Sequence, residues 1–443
     1  MNSQEMMVDL LRELLAIGSM RLAGRLFKSA TSETRASEDG FVTDDLLAFY
    51  EPMAAAGTPM IVTGNLYISL QGKSAGRQAG IDNNDKIAGL REWVDVVHAG
   101  GSKLVAQLNH GGRQIAQLAP GADRIVSASD VREPLYGTKP SPLRSDEMPG
   151  VVESFAAAAQ RARKAGFDGV QIHAAHGYLL GQFLTPHTNR RSDGYGGSLE
   201  GRARLLLEVM RAVRARCGED YPVLVKMNGT DDLPFRRAAT PEELVRVACW
   251  LQDAGADAVE VSRGHYESWP GMVQGRYRGF LTASVTVGAA ARSGAMRRLA
   301  VRAVAPVVER VAEWLRPPRE GFNLSFAQRF TAALDIPVIV VGGFHTREGM
   351  ESALASGAAD AVSAARAFIA DPYLYRNLVG DSLAEHPVCG YCNGCIARFS
   401  GMRIDCYSHD IRGRREVMFA TIRRRELLAR DASDAPVAMP AAE

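Results

Sequence analysis

Five short stretches concentrate the residue types that do chemistry. HAAHGY places His173, His176 and Tyr178 within six residues. Two imidazoles hydrogen-bond a carbonyl or anionic oxygen of a substrate, and a phenol donates a proton to a developing carbanion. The same histidines also read as zinc ligands or as satisfied structural residues, and the residues alone leave these readings open. VLVKMNG sets Lys226 at the end of an apolar run, where it is either a frayed surface residue or a cation with a purpose. VVGGFH supplies Gly342 and Gly343, and AARAF supplies Arg366. Glycine N–H groups beside a helix N-terminus bind phosphate, and a guanidinium adds a permanently charged, bidentate clamp. A tight turn explains a lone Gly-Gly equally well; the arginine at the next strand end is what favours phosphate. Finally, Cys389, Cys392, Cys395 and Cys406 fall in one stretch of eighteen residues with the spacing C-x2-C-x2-C-x10-C. In a reducing compartment that spacing favours one shared ion or cluster over disulfides. Cys217 and Cys249 lie in helical patterns and read as packing residues.

Eight apolar, β-branched runs must position these groups: RLFKSA from Arg25, PMIVTG from Pro59, KLVAQL from Lys103, GVQIHA from Gly169, PVLVKM from Pro222, DAVEVS from Asp257, PVIVVG from Pro337 and DAVSAA from Asp360. Stretches of helical period follow them, including 85–99, 152–165, 199–216, 241–254 and 346–356, and several close on the Ala-Gly pair of a helix C-terminus. Alternating strands and helices specify a parallel sheet, and eight units specify an α/β (β/α)8 TIM barrel, with a doubly wound open sheet as the alternative. Apart from the cysteines, the residues singled out above then lie at the strands' C-terminal ends, where such barrels react, and others join them there: Ser29, Ala30, Thr31 and Ser32 after the first strand, Gly64 and Asn65 after the second, Gln107 after the third.

About 250 residues suffice for the barrel, so the rest of the 443 is decoration. Long insertions are expected after strand three (about 109–150, a Pro- and Gly-rich capping loop) and after strand six (263–334). The barrel is expected over 1–380, a Cys-rich segment with a closing basic helix over 381–430, and a disordered tail over 431–443. Within the second insertion Met296, Leu299, Ala303, Val307, Val311 and Trp314 recur on one helical face, and Arg292, Arg297, Arg298, Arg302, Arg310 and Arg316 occupy the other. The expectation is a helix packed on the barrel by its apolar face, kinked or split at Pro306. The rival is a helix that docks on a membrane surface or a partner, and self-association into a homo-oligomer is a further outcome of the same pattern.

Composition narrows the class. With 46% hydrophobic and 23% charged residues the chain is an ordinary globular protein, not a disordered or fibrous one. A net charge of +2 provides no field for nucleic acid, so none is expected as a partner. No run of eighteen apolar residues occurs and the first twenty residues contain acids and no cleavage site, so a cytoplasmic, unprocessed chain is expected.

The longer motifs resemble those of the old yellow enzyme-type NADH:flavin oxidoreductases. QIHAAHGYLLGQFLTPHTNRRSDGYGGSLEGRARLLLEV carries the likeness most strongly, joined by KLVAQLNHGGRQ, RLFKSATSE and VVGGFHTREGMESALASGAADAVSAARAFIADP, so that it spans roughly residues 20 to 400. The resemblance implies a flavoprotein holding FMN non-covalently at the barrel mouth. Ser29, Ala30 and Ser32 would border the flavin, Gly64 would let the ring approach, Gln107 would bond its pyrimidine, and Lys226 would face N1 and O2, where reduction leaves negative charge. Gly342, Gly343, Ala365 and Arg366 would hold the phosphate. His173 and His176 would anchor the substrate's activating oxygen while Tyr178 protonates the α-carbon. Ser32 stands where some members carry Cys or Thr, which removes redox tuning by a thiol.

The cysteine segment resembles that of the branch containing 2,4-dienoyl-CoA reductase and trimethylamine dehydrogenase, where a 4Fe–4S cluster passes single electrons. No glycine fingerprint of a second nucleotide domain follows the cysteines here, so a cluster would serve an external electron-transfer partner or a structural role; zinc and free thiols stand beside it. In the same branch a residue placed like His265 acts as a second acid. The activity expected is hydride from NADH or NADPH, through flavin N5, to an activated C=C bond, with the proton from Tyr178: an ene-reductase acting on a small molecule. Two alternatives remain: a dehydrogenase of an amine or other reduced substrate feeding an external acceptor, and a barrel without turnover that serves docking.

Overall fold

The computed structural model describes residues 9–233, 235–380, 386–399 and 401–433. Residues 434–443, most of the expected tail, lie outside the described residues, as does the side chain of Arg292.

All eight apolar runs become strands of one closed parallel barrel. After a hairpin, β1 (Leu15–Ile17) and β2 (Met20–Leu22), come β3 (Leu26–Lys28), β4 (Met60–Tyr67), β5 (Lys103–Asn109), β6 (Gly169–Ala174), β7 (Val223–Asn228), β8 (Ala258–Ser262), β9 (Val338–Val341) and β10 (Ala361–Ala364). Each pairs with its sequence neighbours and β10 closes on β3. Several strands are buried along their whole length, as a sheet covered on both faces demands.

The helices α1 (Asp44–Ala55), α2 (Ile87–Ala99), α3 (Met148–Ala165), α4 (Leu199–Cys217) and α5 (Pro241–Asp253) follow β3 to β7 in turn. An insertion helix α6 (Ala295–Leu315) precedes α7 (Leu324–Thr331), α8 (Arg347–Ala355), α9 (Leu374–Val379) and the closing α10 (His409–Ser433). Their starts are chemically marked. Thr240 and Glu243 form a capping box ahead of Pro241, and Ser198 and Thr346 accept N–H groups from Gly201 and Gly349. At the end of α3, Gly166 takes φ +97°, the left-handed turn that sends the chain into β6.

The hairpin β1–β2 was not legible in the sequence. Its Ile17, Met20 and Leu22 plug the barrel's N-terminal end against Phe27, Met60, Val105, Leu224, Ala258 and Ile339. Closing that end leaves the C-terminal mouth as the accessible one.

The insertions meet over this mouth. Arg113 from the first and Glu267 from the second are ion-paired, and His187, after β6, lies 3.0 Å from the same carboxylate. Burial works upward on Glu267, but His187 and Arg113 outweigh it and hold its carboxyl down at about 2. The helix α6 corrects the sequence reading twice. It runs unbroken through Pro306, and it packs through Ala305, Glu309 and Ala312, leaving the apolar stripe outward, with Met296 81% and Trp314 79% exposed. Two small residues and a carboxylate satisfied by the N–H groups of Gly279 and Leu281 make a closer seam than bulky side chains do.

Candidate functional site

At the C-terminal ends of the strands lies a cavity of about 1220 Å³, counting its open mouth. Its wall includes Ser29, Ala30, Ser32, Asn65, Gln107, His173, His176, Tyr178, Lys226, Gly342, Gly343, Ala365, Arg366 and Cys389. All but Cys389, which the cysteine segment brings in from outside the barrel, meet because they lie at or just after the ends of strands of the same closed sheet.

The register sets the polar floor. Lys226 pairs with His173 on one side and Glu260 on the other, and Gln107 pairs with Gln171. Lys226 Nζ donates to Ser29 Oγ at 2.8 Å and lies 3.1 Å from Glu260 Oε1, with both charged side chains at least 97% buried. The same carboxylate accepts from Ser29 and Ser363, each at 2.7 Å, and from Gln171 Nε2 at 2.8 Å. Gln171 in turn accepts from Gln107 Nε2 at 2.6 Å, leaving the Gln107 carbonyl to the cavity. Burial pushes Glu260 upward, but Lys226 and these hydrogen bonds hold it below the ordinary carboxyl value, so its carboxylate is ionised. Sequence reasoning found Lys226 and missed Glu260 and Gln171. The available signal was a polar residue in the middle of each of the mainly apolar strands DAVEVS and GVQIHA.

The histidine pair is tightly held. His176 has φ +59°, a left-handed conformation stabilised by its N–H to Asn228 Oδ1 at 3.2 Å, and its Nε2 lies 2.7 Å from Ser262 Oγ. The rings of His173 and His176 meet edge to face at 5.1 Å, and His173 meets Tyr178 at 4.8 Å. Burial and then Lys226 push His176 down to about 3, and burial, His176 and Lys226 push His173 well below its ordinary value. Both are neutral at physiological pH and so able to donate one hydrogen bond each without carrying charge. Tyr178 Oη lies 2.7 Å from Tyr266 Oη. Burial raises the Tyr178 phenol although Tyr266, Ser74 and Asn65 work against it, so it keeps its proton.

Two expected site residues lie off the cavity wall. His265 is fully buried, its Nε2 3.2 Å from Asp231 Oδ1. The extended backbone at His265 bridges to His176, which turns its ring away and presents the next residue, Tyr266, to the cavity. Gly64 is also absent from the wall. A Cβ there would collide with the buried Glu33 carboxylate, which accepts the Gly64 N–H at 2.6 Å. Glycine is therefore needed to admit Glu33 from behind the strand.

At the other end of the cavity Gly343 has φ +74°, and a Cβ there would strike the Arg319 carbonyl. Arg366 bonds Asn393 and lies 5.4 Å from the Tyr391 ring centre; Tyr391 Oη reaches His345 Nδ1 at 2.6 Å. Tyr391 and Asn393 belong to the cysteine segment, which thereby folds over the glycine loop. Nothing in the sequence announced that.

Cys395 and Cys406 pack with Ile369, Ala370, Ile404 and Ile411, and Cys389 borders both this cluster and the cavity. All four thiols are free, and burial pushes Cys395 up to about 12, with the other three thiols acting in the same direction. Among the described residues no three ligand side chains converge as a metal site would require.

FMN fits this donor set. A glycine turn and a guanidinium face its anionic end, and an amide and an ammonium face a polar edge. Asn65 Oδ1, buried on the wall with no hydrogen-bond partner, marks a place where a bound group is owed a donor.

A closed parallel barrel, plugged below and polar at its strand ends, with a glycine loop and arginine after the last two strands, is the architecture of a phosphate-cofactor barrel enzyme. The chain belongs to the NADH:flavin oxidoreductase / NADH oxidase family, which it matches over residues 11–277. The NADH oxidase of Thermoanaerobacter brockii is 31% identical over 407 residues, covering 90% of this chain and 56% of that protein. The 4,4'-dithiodibutanoate disulfide reductase of Rhodococcus erythropolis is 30% identical over 383 residues, covering 86% and 90%. Among solved structures, a 2-naphthoyl-CoA reductase in complex with 2-naphthoyl-CoA matches with a TM-score of 0.73 at 25% identity, covering 87% of this chain and 54% of that one. The chain spans about half the length of several of the curated relatives it matches.

Proposed function

We propose that the protein is an FMN-dependent NAD(P)H oxidoreductase of the ene-reductase type, reducing a C=C bond conjugated to a carbonyl. The observation that supports it best is one cavity wall bearing two neutral imidazoles, a protonated phenol, a buried cation and a glycine–arginine loop. FMN, when bound, supplies the two-electron relay from NAD(P)H to the alkene's β-carbon. Ser29, Ala30, Ser32, Gln107 and Lys226 would hold its ring, and Gly342, Gly343, Ala365 and Arg366 its phosphate.

The chain's own groups do the rest. His173 and His176 donate to the substrate's carbonyl oxygen, and because both are neutral they polarise it without competing for a proton from solvent. Tyr178 holds the proton for the α-carbon, and Tyr266, 2.7 Å away, donates its O–H to the phenolate left behind until a proton from solvent restores it. The Lys226–Glu260 pair holds a fixed dipole in the low-dielectric floor, already desolvated before anything binds.

A second reading is favoured by the thiols: an FMN/iron–sulfur dehydrogenase that delivers electrons to an external acceptor. Cys389, Cys395 and Cys406 beside an apolar cluster that borders the cavity, with the exposed Cys392 in the same segment, would supply the four thiolates of a 4Fe–4S cluster, which supplies one-electron exchange when bound.

Anaerobic spectroscopy with flavin and iron analysis on one sample separates the readings. The ene-reductase predicts bound flavin that NAD(P)H bleaches and a cyclic enone restores. Bleaching by an amine but not by NAD(P)H, together with about four iron per chain, would favour the dehydrogenase. A protein that binds no FMN would overturn both.

A further inference from the structure

The insertion helix α6 presents to solvent the face that an ordinary surface helix buries. Met296, Leu299, Val304, Val307, Val311 and Trp314 are 49 to 81% exposed, while the opposite face, Ala305, Glu309 and Ala312, is seated on the protein. Six large apolar side chains lined up on one helix form a contiguous patch of the kind that, at about 300–600 Å² on a typical monomer, is often functional. The stripe runs from Met296 to Trp314 along the helix and so is about 28 Å long.

The charges around the helix decide what covers the stripe. Arg297, which also donates to the Pro134 carbonyl, and Arg310 flank it, Arg302 is exposed on the far side, and among the described residues no carboxylate pairs with any of the three. Both acids of the helix are occupied: Glu309 is buried and accepts the N–H groups of Gly279 and Leu281, and Glu313 faces the Tyr277 N–H at 3.4 Å. A second copy docked antiparallel on the same stripe would bring arginines against arginines with no acid of α6 to separate them. An anionic lipid surface meets both features, since the headgroups pair with the guanidinium groups while the apolar face, with Trp314 near one end, enters the acyl boundary.

We infer that α6 docks this protein on membranes bearing anionic headgroups, lying in the interface with its Met296-to-Trp314 face inward. The helix is a surface anchor and not a span: no helix among the described residues is long and apolar enough to cross a bilayer.

The test is vesicle flotation of the full chain with phosphatidylcholine alone and with phosphatidylcholine containing about one third phosphatidylserine. At least about tenfold more protein floats with the anionic vesicles, and raised salt reverses this. The double variant Val307→Asp/Trp314→Asp and the charge variant Arg297→Gln/Arg310→Gln each lose the binding. All four residues are exposed, so both variants keep the parent's circular dichroism and flavin content, which are measured alongside. Absence of flotation overturns the inference, as does equal flotation on neutral vesicles. A dimer in light scattering that Val307→Asp splits, without flotation, reassigns the face to a contact between copies.

Discussion

Glu260→Gln tests the ion pair beneath the cavity floor. Glutamine keeps the shape of the side chain and removes the charge that faces Lys226 across 3.1 Å. At an effective dielectric of about 20 that separation corresponds to about 5 kcal/mol of attraction, and breaking a buried pair from one side is worth about 3–5 kcal/mol. The glutamine amide must also meet Ser29, Ser363 and Gln171, all of which now donate to the carboxylate. Urea unfolding of the apoprotein should therefore show a loss of about 3–5 kcal/mol. Lys226→Met alone strands the anion in the same way. Removing both partners together leaves no unpaired charge, so the double variant should be more stable than the sum of the single losses by about 2 kcal/mol or more. If the three variants prove additive within about 0.5 kcal/mol, the two groups are not coupled and the account of the floor is wrong.

Tyr178→Phe removes the proton donor while leaving the wall apolar; alkene reduction should slow about 10²–10⁴-fold while NAD(P)H still reduces the flavin at the parent rate in anaerobic stopped flow. An equal loss in both half-reactions would place Tyr178 elsewhere in the chemistry. Arg366→Met should weaken FMN binding about 10- to 100-fold, read by fluorescence titration, whereas unchanged affinity would remove Arg366 from the phosphate site. Burial holds His110 at about 4 and His176 at about 3, and His173 well below normal. A depressed histidine binds its proton only in the unfolded chain, so its contribution is complete above pH 6.5 and is lost as pH falls from there toward the folded value. Each should lower apoprotein stability by about 2 kcal/mol between pH 7.5 and 5, partly offset by Glu33 and Glu133, whose carboxyls burial raises. A urea midpoint that does not move over that range would show that these imidazoles are solvated.

The eight strands and most of the helices between them were legible because parallel strands covered on both faces read as continuous apolar runs, and because caps such as Thr240 with Glu243 are local chemistry. Strand ends in a barrel share one mouth, so His173, His176, Tyr178, Lys226 and Arg366 were assignable to a common cavity from their positions in the chain. Closure, register and side-chain direction were not. That Glu260 faces Lys226, that Tyr266 and not His265 reaches the cavity, that Gly64 makes room for Glu33, and that Tyr391 folds over the Gly343 loop all depend on contacts between distant segments. For α6 the periodicity specified an amphipathic helix correctly and misled on which face is buried, because period records only that one side is apolar, while the neighbours decide which side is covered.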